Sequence, residues 1–194
     1  MRRWIGWIAA VLAVAVIAHV VTLHRLARRL DRRIEARVFG NIGRFNTMHF
    51  GSRPDENSRG VVRPSPDLLY ASCPFDLSEG PLRLTAHVAH TTYWSIAGFD
   101  AATNNFFVRD DRQIAGDVID LIVVRPEMAP PPSVAGQTVV HAPTDKGLFL
   151  IRILIDDETD LPRLDAIRHQ ATCETAALDL GAETSGLSPM QTRH

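Results

Sequence analysis

The chain has 194 residues, 45% hydrophobic and 22% charged, which fits one globular domain with an appendage and excludes a wholly disordered protein. Its net charge of −1 conceals a split: residues 1–37 hold eight arginines and two acids, while residues 38–194 hold 13 basic and 20 acidic residues. The basic end suits anionic lipid head groups, and the acidic remainder repels nucleic acid, so nucleic-acid binding is excluded.

Residues 1–3 are a short basic flank. Residues 4–23 (WIGWIAAVLAVAVIAHVVTL) contain no Asp, Glu, Lys or Arg. Twenty residues at about 1.5 Å each span the roughly 30 Å hydrocarbon core of a bilayer. Trp4 and Trp7 stand where an interfacial aromatic belt lies. Arg2, Arg3 and Val16-Ile17-Ala18 also resemble a cleaved signal peptide. The apolar run continues past that point, however, and predicts an uncleaved single-pass transmembrane helix.

Residues 24–40 predict a basic stalk helix that continues the span. Leu26, Leu30, Ile34 and Val38 recur every four residues, six arginines occupy much of the rest, and Gly40 is the natural stop. The seam reads as a solvated stalk, a surface for a partner helix, or a helix partly on lipid head groups. Counting arginines beside the span places the following domain in the cytoplasm. The signal-like start and two cysteines available for pairing place it outside. We take a single-pass inner-membrane protein with a periplasmic soluble domain as the expectation.

Residues 41–177 are expected to form that domain. Residues 41–66, rich in Asn, Gly, Ser, Arg and Pro, read as a long loop with one short element near 47–50. Apolar runs then alternate with turn signals. Strands are predicted at 68–77, 82–90, 93–99, 104–109, 118–124, 138–141 and 147–155. Seven short strands without βαβ alternation predict an antiparallel sandwich or barrel. The acidic stretch 156–160 favours a helix start, and 161–177 reads as a helix with Leu161, Leu164, Ile167 and Ala171 on one face. Residues 178–194 are expected to be a disordered tail.

Cys73 and Cys173 lie in no short-spaced zinc or redox motif. They are either a disulfide, closing a loop of about 100 residues worth ~4–5 kcal/mol in the chain-entropy model, or two buried free thiols.

No nucleophile elbow, phosphate loop, dinucleotide fingerprint or zinc-protease motif is present. His87 and His90 are three apart at a strand end and point to opposite faces, so a metal pair is disfavoured, and no cofactor is expected. Asp110–Asp111 and Asp156–Asp157 read as solvated loop charge before they read as an ion site. Two polar clusters stand out: Arg63-Pro64, Asp67 and Tyr70 before the first long strand, and Asp100 with Thr103-Asn104-Asn105-Phe106 at a strand connection. Such groups line the mouth of a sandwich or tie loops by side-chain to backbone bonds.

At these residues the chain resembles the bacterial family called domain of unknown function 1254. The resemblance rests on Arg63-Pro64-x-x-Asp67-x-x-Tyr70, Phe75-Asp76-Leu77 with Gly80-Pro81, Tyr93-Trp94-Ser95, Asp100-Ala101-x-Thr103-Asn104-Asn105-Phe106, Ala142-Pro143-Thr144, and the strand holding Leu150 and Arg152. It covers roughly residues 40–175. Ser65 and Leu68 stand where many members have Asn and Thr. The resemblance implies a mostly β, jelly-roll-like sandwich and no established reaction. Longer members carry a second β domain, domain of unknown function 1214, which implies a separate anchored protein of that kind as partner.

Two functions are expected from these features. The first is a non-catalytic, membrane-anchored envelope module that binds the bilayer and docks with another anchored β-domain protein. The second is a small-ligand-binding domain or enzyme with a polar site at the sandwich mouth, built from Asp67, Tyr70, Tyr93, Asp100, Asn104 and Arg152. A metal-dependent hydrolase using His87 or His90 is a third, weaker reading.

Overall fold

A computed structural model describes residues 2–40, 44–56, 58, 64–129 and 137–176. The tail predicted at 178–194, the prolines at 130–132 and Arg63 lie outside these residues, as do the side chains of Leu30, Ile34 and Val38. The first element, α1, runs from Arg2 to Gly40 and joins the predicted span and stalk in one helix. Its stretch Gly6–Leu26 has mean hydropathy 2.3, and none of it is buried against protein. It is a helix long and apolar enough to cross a membrane.

The remaining elements are β1 (His49–Phe50), β2 (Leu68–Asp76), β3 (Leu82–His87), β4 (Trp94–Asp100), β5 (Asn105–Asp110), β6 (Val118–Val124), β7 (Thr138–His141), β8 (Lys146–Leu154), α2 (Leu161–Arg168) and β9 (Thr172–Thr175). They build two sheets: a larger one in the order β1-β2-β8-β4-β5 and a smaller one in the order β7-β6-β3-β9. All pairs are antiparallel except β6–β7, which is parallel. The purely antiparallel expectation is corrected at that edge.

Alternation along each strand sets the core. In the larger sheet, Leu69, Ala71, Cys73 and Phe75 of β2 face inward with Phe149, Ile151 and Ile153 of β8 and Trp94 and Ile96 of β4. The smaller sheet meets them with Leu82, Leu84 and Ala86 of β3 and Ile119, Leu121 and Val123 of β6. Full burial of such side chains contributes about 1.5–3 kcal/mol each. Cys73 on β2 and Cys173 on β9 form a disulfide between the sheets, with Cα atoms 6.2 Å apart.

The C-terminal helix is shorter than predicted. It ends at Arg168, and 172–175 form β9 against β3. Thr172 and Thr175 are β-branched and suit a pleated surface. The bond from Cys173 to Cys73 also holds this segment against the sandwich. Asp157 caps a 3-10 turn at Glu158–Asp160 that leads into α2, its Oδ1 accepting Thr159 N–H at 2.8 Å. Leu164 of α2 is fully buried, and Leu161 and Ile167 pack beside it.

Candidate functional site

A two-sheet sandwich with solvent on both sides should be apolar within and polar without. The smaller sheet follows this in the main. Its outer face carries Arg83, Thr85, Asp120, Thr172 and Glu174, together with the buried Ile122 and with Val118, which is 44% exposed. Arg83 donates to both Asp120 oxygens, at 3.2 and 2.8 Å, Gln137 donates to Asp120 at 2.8 Å, and the Thr85 and Thr172 hydroxyls meet at 2.6 Å. Burial alone would raise the Asp120 carboxyl. The bonds from Arg83 and Gln137, with the Arg83 charge, outweigh it and hold it below the usual carboxylate range.

The larger sheet departs from the rule. Register places Leu68 beside Leu154, Leu150 beside Ala97 and Val108, and Leu148 beside Phe99, all on the outer face. Val108 is 44% exposed, and the four leucines and Phe99 are half-buried. Between these apolar rows one polar row crosses four strands: Tyr70 of β2, Arg152 of β8, Ser95 of β4 and Asp110 of β5.

The chemistry of that row is incomplete among the described residues. Ser95 is 1% exposed, and its Oγ has no hydrogen-bond partner among the described residues. Arg152 Nε is likewise buried and unpaired, and no ion pair to Arg152 is formed among the described residues. Tyr70 Oη accepts Ser65 N–H at 2.9 Å, which leaves its own proton to donate. Asp110 does not complete the row: its Oδ1 accepts the N–H groups of Arg112 and Gln113, both at 3.1 Å. It also stands two strands from Arg152, about 10 Å by strand spacing. Buried polar groups are normally paired, and these two stand on adjacent strands without a partner among the described residues, as Trp94 Nε1 does in the core.

The six residues expected at one mouth divide between two ends of the sheet. Asp67, Tyr70, Tyr93 and Arg152 gather at one end. Asp67 is exposed, its carbonyl accepting Ile155 N–H at 2.8 Å. Tyr93 is 44% exposed, and its carbonyl accepts Leu154 N–H at 2.9 Å. Asp100 pairs with Gly147, five positions along β8 from Arg152, or about 17 Å away. There its Oδ1 accepts Ala102 N–H at 2.9 Å and Asn104 N–H at 2.8 Å, and its Oδ2 accepts Asn104 Nδ2 at 3.0 Å. Thr103 between them has φ 65°. Asp100 and Asn104 are therefore spent on holding the β4–β5 turn.

Ser95, Leu148 and Leu150 belong to this outer face, and pattern reading did not single them out as candidates. One signal for them was present: residues 147–155 (GLFLIRILI) are apolar on both faces apart from Arg152. A strand wet on one side alternates, and this one does not.

Other polar clusters are occupied. Among the described residues, no group of three or more His, Cys, Asp or Glu side chains is placed to hold a metal ion. His90 Nε2 lies 3.2 Å from the Gly116 carbonyl, and Asp111 Oδ1 accepts Trp94 N–H at 3.3 Å. A cleft of about 500 Å³ lined by Arg44, Asn46, Asp76, Glu79 and Thr175 opens where the chain leaves α1. Asn46 bonds there to Asp76 and Thr175, and Lys146 pairs with Asp76, so the cleft reads as a joint.

A family model described as "Protein of unknown function (DUF1254)" matches residues 45–175. The chain belongs to this family. The DUF1254 region holds every strand of the sandwich and both halves of the divided constellation. No curated protein matches the chain. Among solved structures, the VPA0106 protein from Vibrio parahaemolyticus aligns with TM-score 0.57 and 15% identity, over 83% of this chain and 39% of that one. An uncharacterised protein from Burkholderia cenocepacia aligns with TM-score 0.47 and 17% identity, over 80% of this chain and 41% of that one. The Vibrio protein confirms the β fold. This DUF1254 chain spans about two fifths of the length of either solved relative.

Proposed function

We propose that this protein is a non-catalytic docking module of the bacterial inner membrane. The helix α1 anchors it, and the outer face of the larger sheet receives a second, separately anchored β domain of the "domain of unknown function 1214" type. The observation that carries this reading is the contrast between the two outer faces. On the smaller sheet the outward Arg83, Asp120, Thr85 and Thr172 pair with one another beside Val118, while the larger presents a run of leucines with Arg152 and Ser95 unpaired between them among the described residues. An apolar sheet face of that kind marks an interaction surface. The Vibrio protein carries more than half of its length beyond the part matched here, which leaves room in such chains for the piece that covers this face. The disulfide supports a periplasmic domain, because such bonds persist in oxidising compartments. The six arginines after the span argue for the opposite side, and we give the bridge the greater weight.

A photo-crosslinking residue placed at Leu150 of the full-length protein in its native membrane tests this reading, with Thr85 on the polar sheet as the control. The expected result is a cross-link from Leu150, absent from Thr85 and lost in Leu148→Asp, to a single-pass protein with a β domain. No cross-link from Leu150, or equal cross-linking from Thr85, refutes it.

A further inference from the structure

Docking on the larger sheet, the reading on which the present inference rests, places a partner but does not set its register. Flat apolar rows fix position poorly, since leucine against leucine tolerates sliding. The polar row differs. Ser95 is almost wholly buried with an unpaired hydroxyl, Arg152 Nε is buried and unpaired, and Tyr70 retains a proton to donate. Register puts Arg152 directly between the other two on neighbouring strands. All three present donors, and among the described residues no acceptor answers them.

We infer that the Tyr70–Arg152–Ser95 row is a carboxylate-binding site, filled by an Asp or Glu side chain on the docked partner. A guanidinium fork matches planar oxyanions, and charge-assisted bonds strengthen where water is excluded. A carboxylate offers about four lone-pair positions, enough for two guanidinium N–H groups and a hydroxyl from a neighbouring strand. Phosphate fits less well. The row supplies one cation, so a second negative charge stays uncompensated among leucines, with Asp110 at the end of the same row. A neutral acceptor would leave the Arg152 charge unanswered on a face that docking dries.

Propionate, the isolated end of a glutamate side chain, is the probe. It is titrated into ¹⁵N-labelled full-length protein in detergent micelles, with sodium chloride at equal ionic strength as the control. Saturable shifts are expected at the Arg152 Nε–H and at the Ser95 and Tyr70 amides, with chloride producing none. Arg152→Met and Ser95→Ala, both expected to fold, should each weaken propionate binding, Arg152→Met by about tenfold, as for loss of one charge-assisted contact. No saturation, equal response to chloride, or unchanged binding by Arg152→Met overturns the inference. A failed titration with the Leu150 cross-link intact overturns the carboxylate site alone. Propionate binding without the cross-link overturns the partner as its source and leaves a site for a free acid.

Discussion

Asn46 holds the backbone of Asp76 from both sides. Its Oδ1 accepts Asp76 N–H at 2.8 Å, and its Nδ2 donates to the Asp76 carbonyl at 2.9 Å and to Thr175 Oγ1 at 3.0 Å. Asp76 closes β2 in the larger sheet and Thr175 closes β9 in the smaller one. A single side chain thus fastens both sheets to the segment that leaves α1. Its φ of 54° lies in the left-handed region that Asn tolerates better than most residues. Asn46→Asp keeps that tolerance and the acceptor but removes both donated bonds. A loss of about 2 kcal/mol is expected, near 1 kcal/mol per bond, measured by denaturation of the full chain in detergent. An unchanged midpoint would show that the joint does not bear on stability.

The disulfide should contribute more. Cys73 and Cys173 are 100 residues apart in sequence and both buried. Replacing both by alanine frees a long loop in the unfolded state, for an expected loss of about 4–5 kcal/mol in the chain-entropy model. The m-value should rise as well, because an uncrosslinked unfolded chain exposes more surface. A midpoint shift without that rise would place the effect in the folded core.

Strands with clear alternation or strong apolar runs were legible from sequence: β6 and β7 have the bounds that pattern alone predicts. The strand β9 was not legible. Its four residues follow a helix-like period, and their partners Leu82–Thr85 lie about ninety positions away, so only tertiary pairing defines them. The site divides the same way. Tyr70 and Arg152 stand out by residue type, but their adjacency to Ser95 depends on the register of three strands. Asp100 also stands out by type, and only its bonds to Ala102 and Asn104 show that its oxygens are spent locally.

Gly147 marks a close approach in the larger sheet. A Cβ there would lie 2.3 Å from Phe75 Cζ and 2.3 Å from the Phe99 carbonyl oxygen. The ring can shift, but the backbone oxygen is held by the sheet. Gly147→Ala should therefore cost about 3 kcal/mol, the upper part of the overpacking range. Thermal unfolding checks this, and a change within about 0.5 kcal/mol, as at an ordinary surface site, would refute it.

Asp120 gives the domain part of its acid sensitivity. Its folded pKa is depressed, the bonds from Arg83 and Gln137 outweighing burial. A depressed carboxyl stabilises the fold above its unfolded value of about 3.9, and that stabilisation is lost as pH falls through the folded value. Below about pH 4 the wild type should lose stability more steeply than Asp120→Asn. Denaturation curves from pH 6 to pH 2 test the difference. Asp76, depressed because Ser78 and Lys146 outweigh burial, and the depressed Asp157, Glu158 and Asp160 remain in both proteins and contribute the shared slope. Parallel curves would remove Asp120 from the account.

The polar row makes the opposite prediction from Asp100, and the contrast separates a binding surface from a structural turn. Asp100→Ala discards three hydrogen bonds at a buried position and should cost about 2–3 kcal/mol. Ser95→Ala removes a buried hydroxyl that bonds to nothing among the described residues, and Arg152→Met removes an unpaired buried donor while keeping an apolar stem on an apolar face. Groups that burden the isolated fold are retained for what they bind, and removing them is neutral or stabilising. Both variants should therefore unfold at or above the wild-type midpoint, by up to about 1 kcal/mol. If Ser95→Ala or Arg152→Met instead unfolds as readily as Asp100→Ala, the row belongs to the packing of the sandwich and the docking face loses its anchor point.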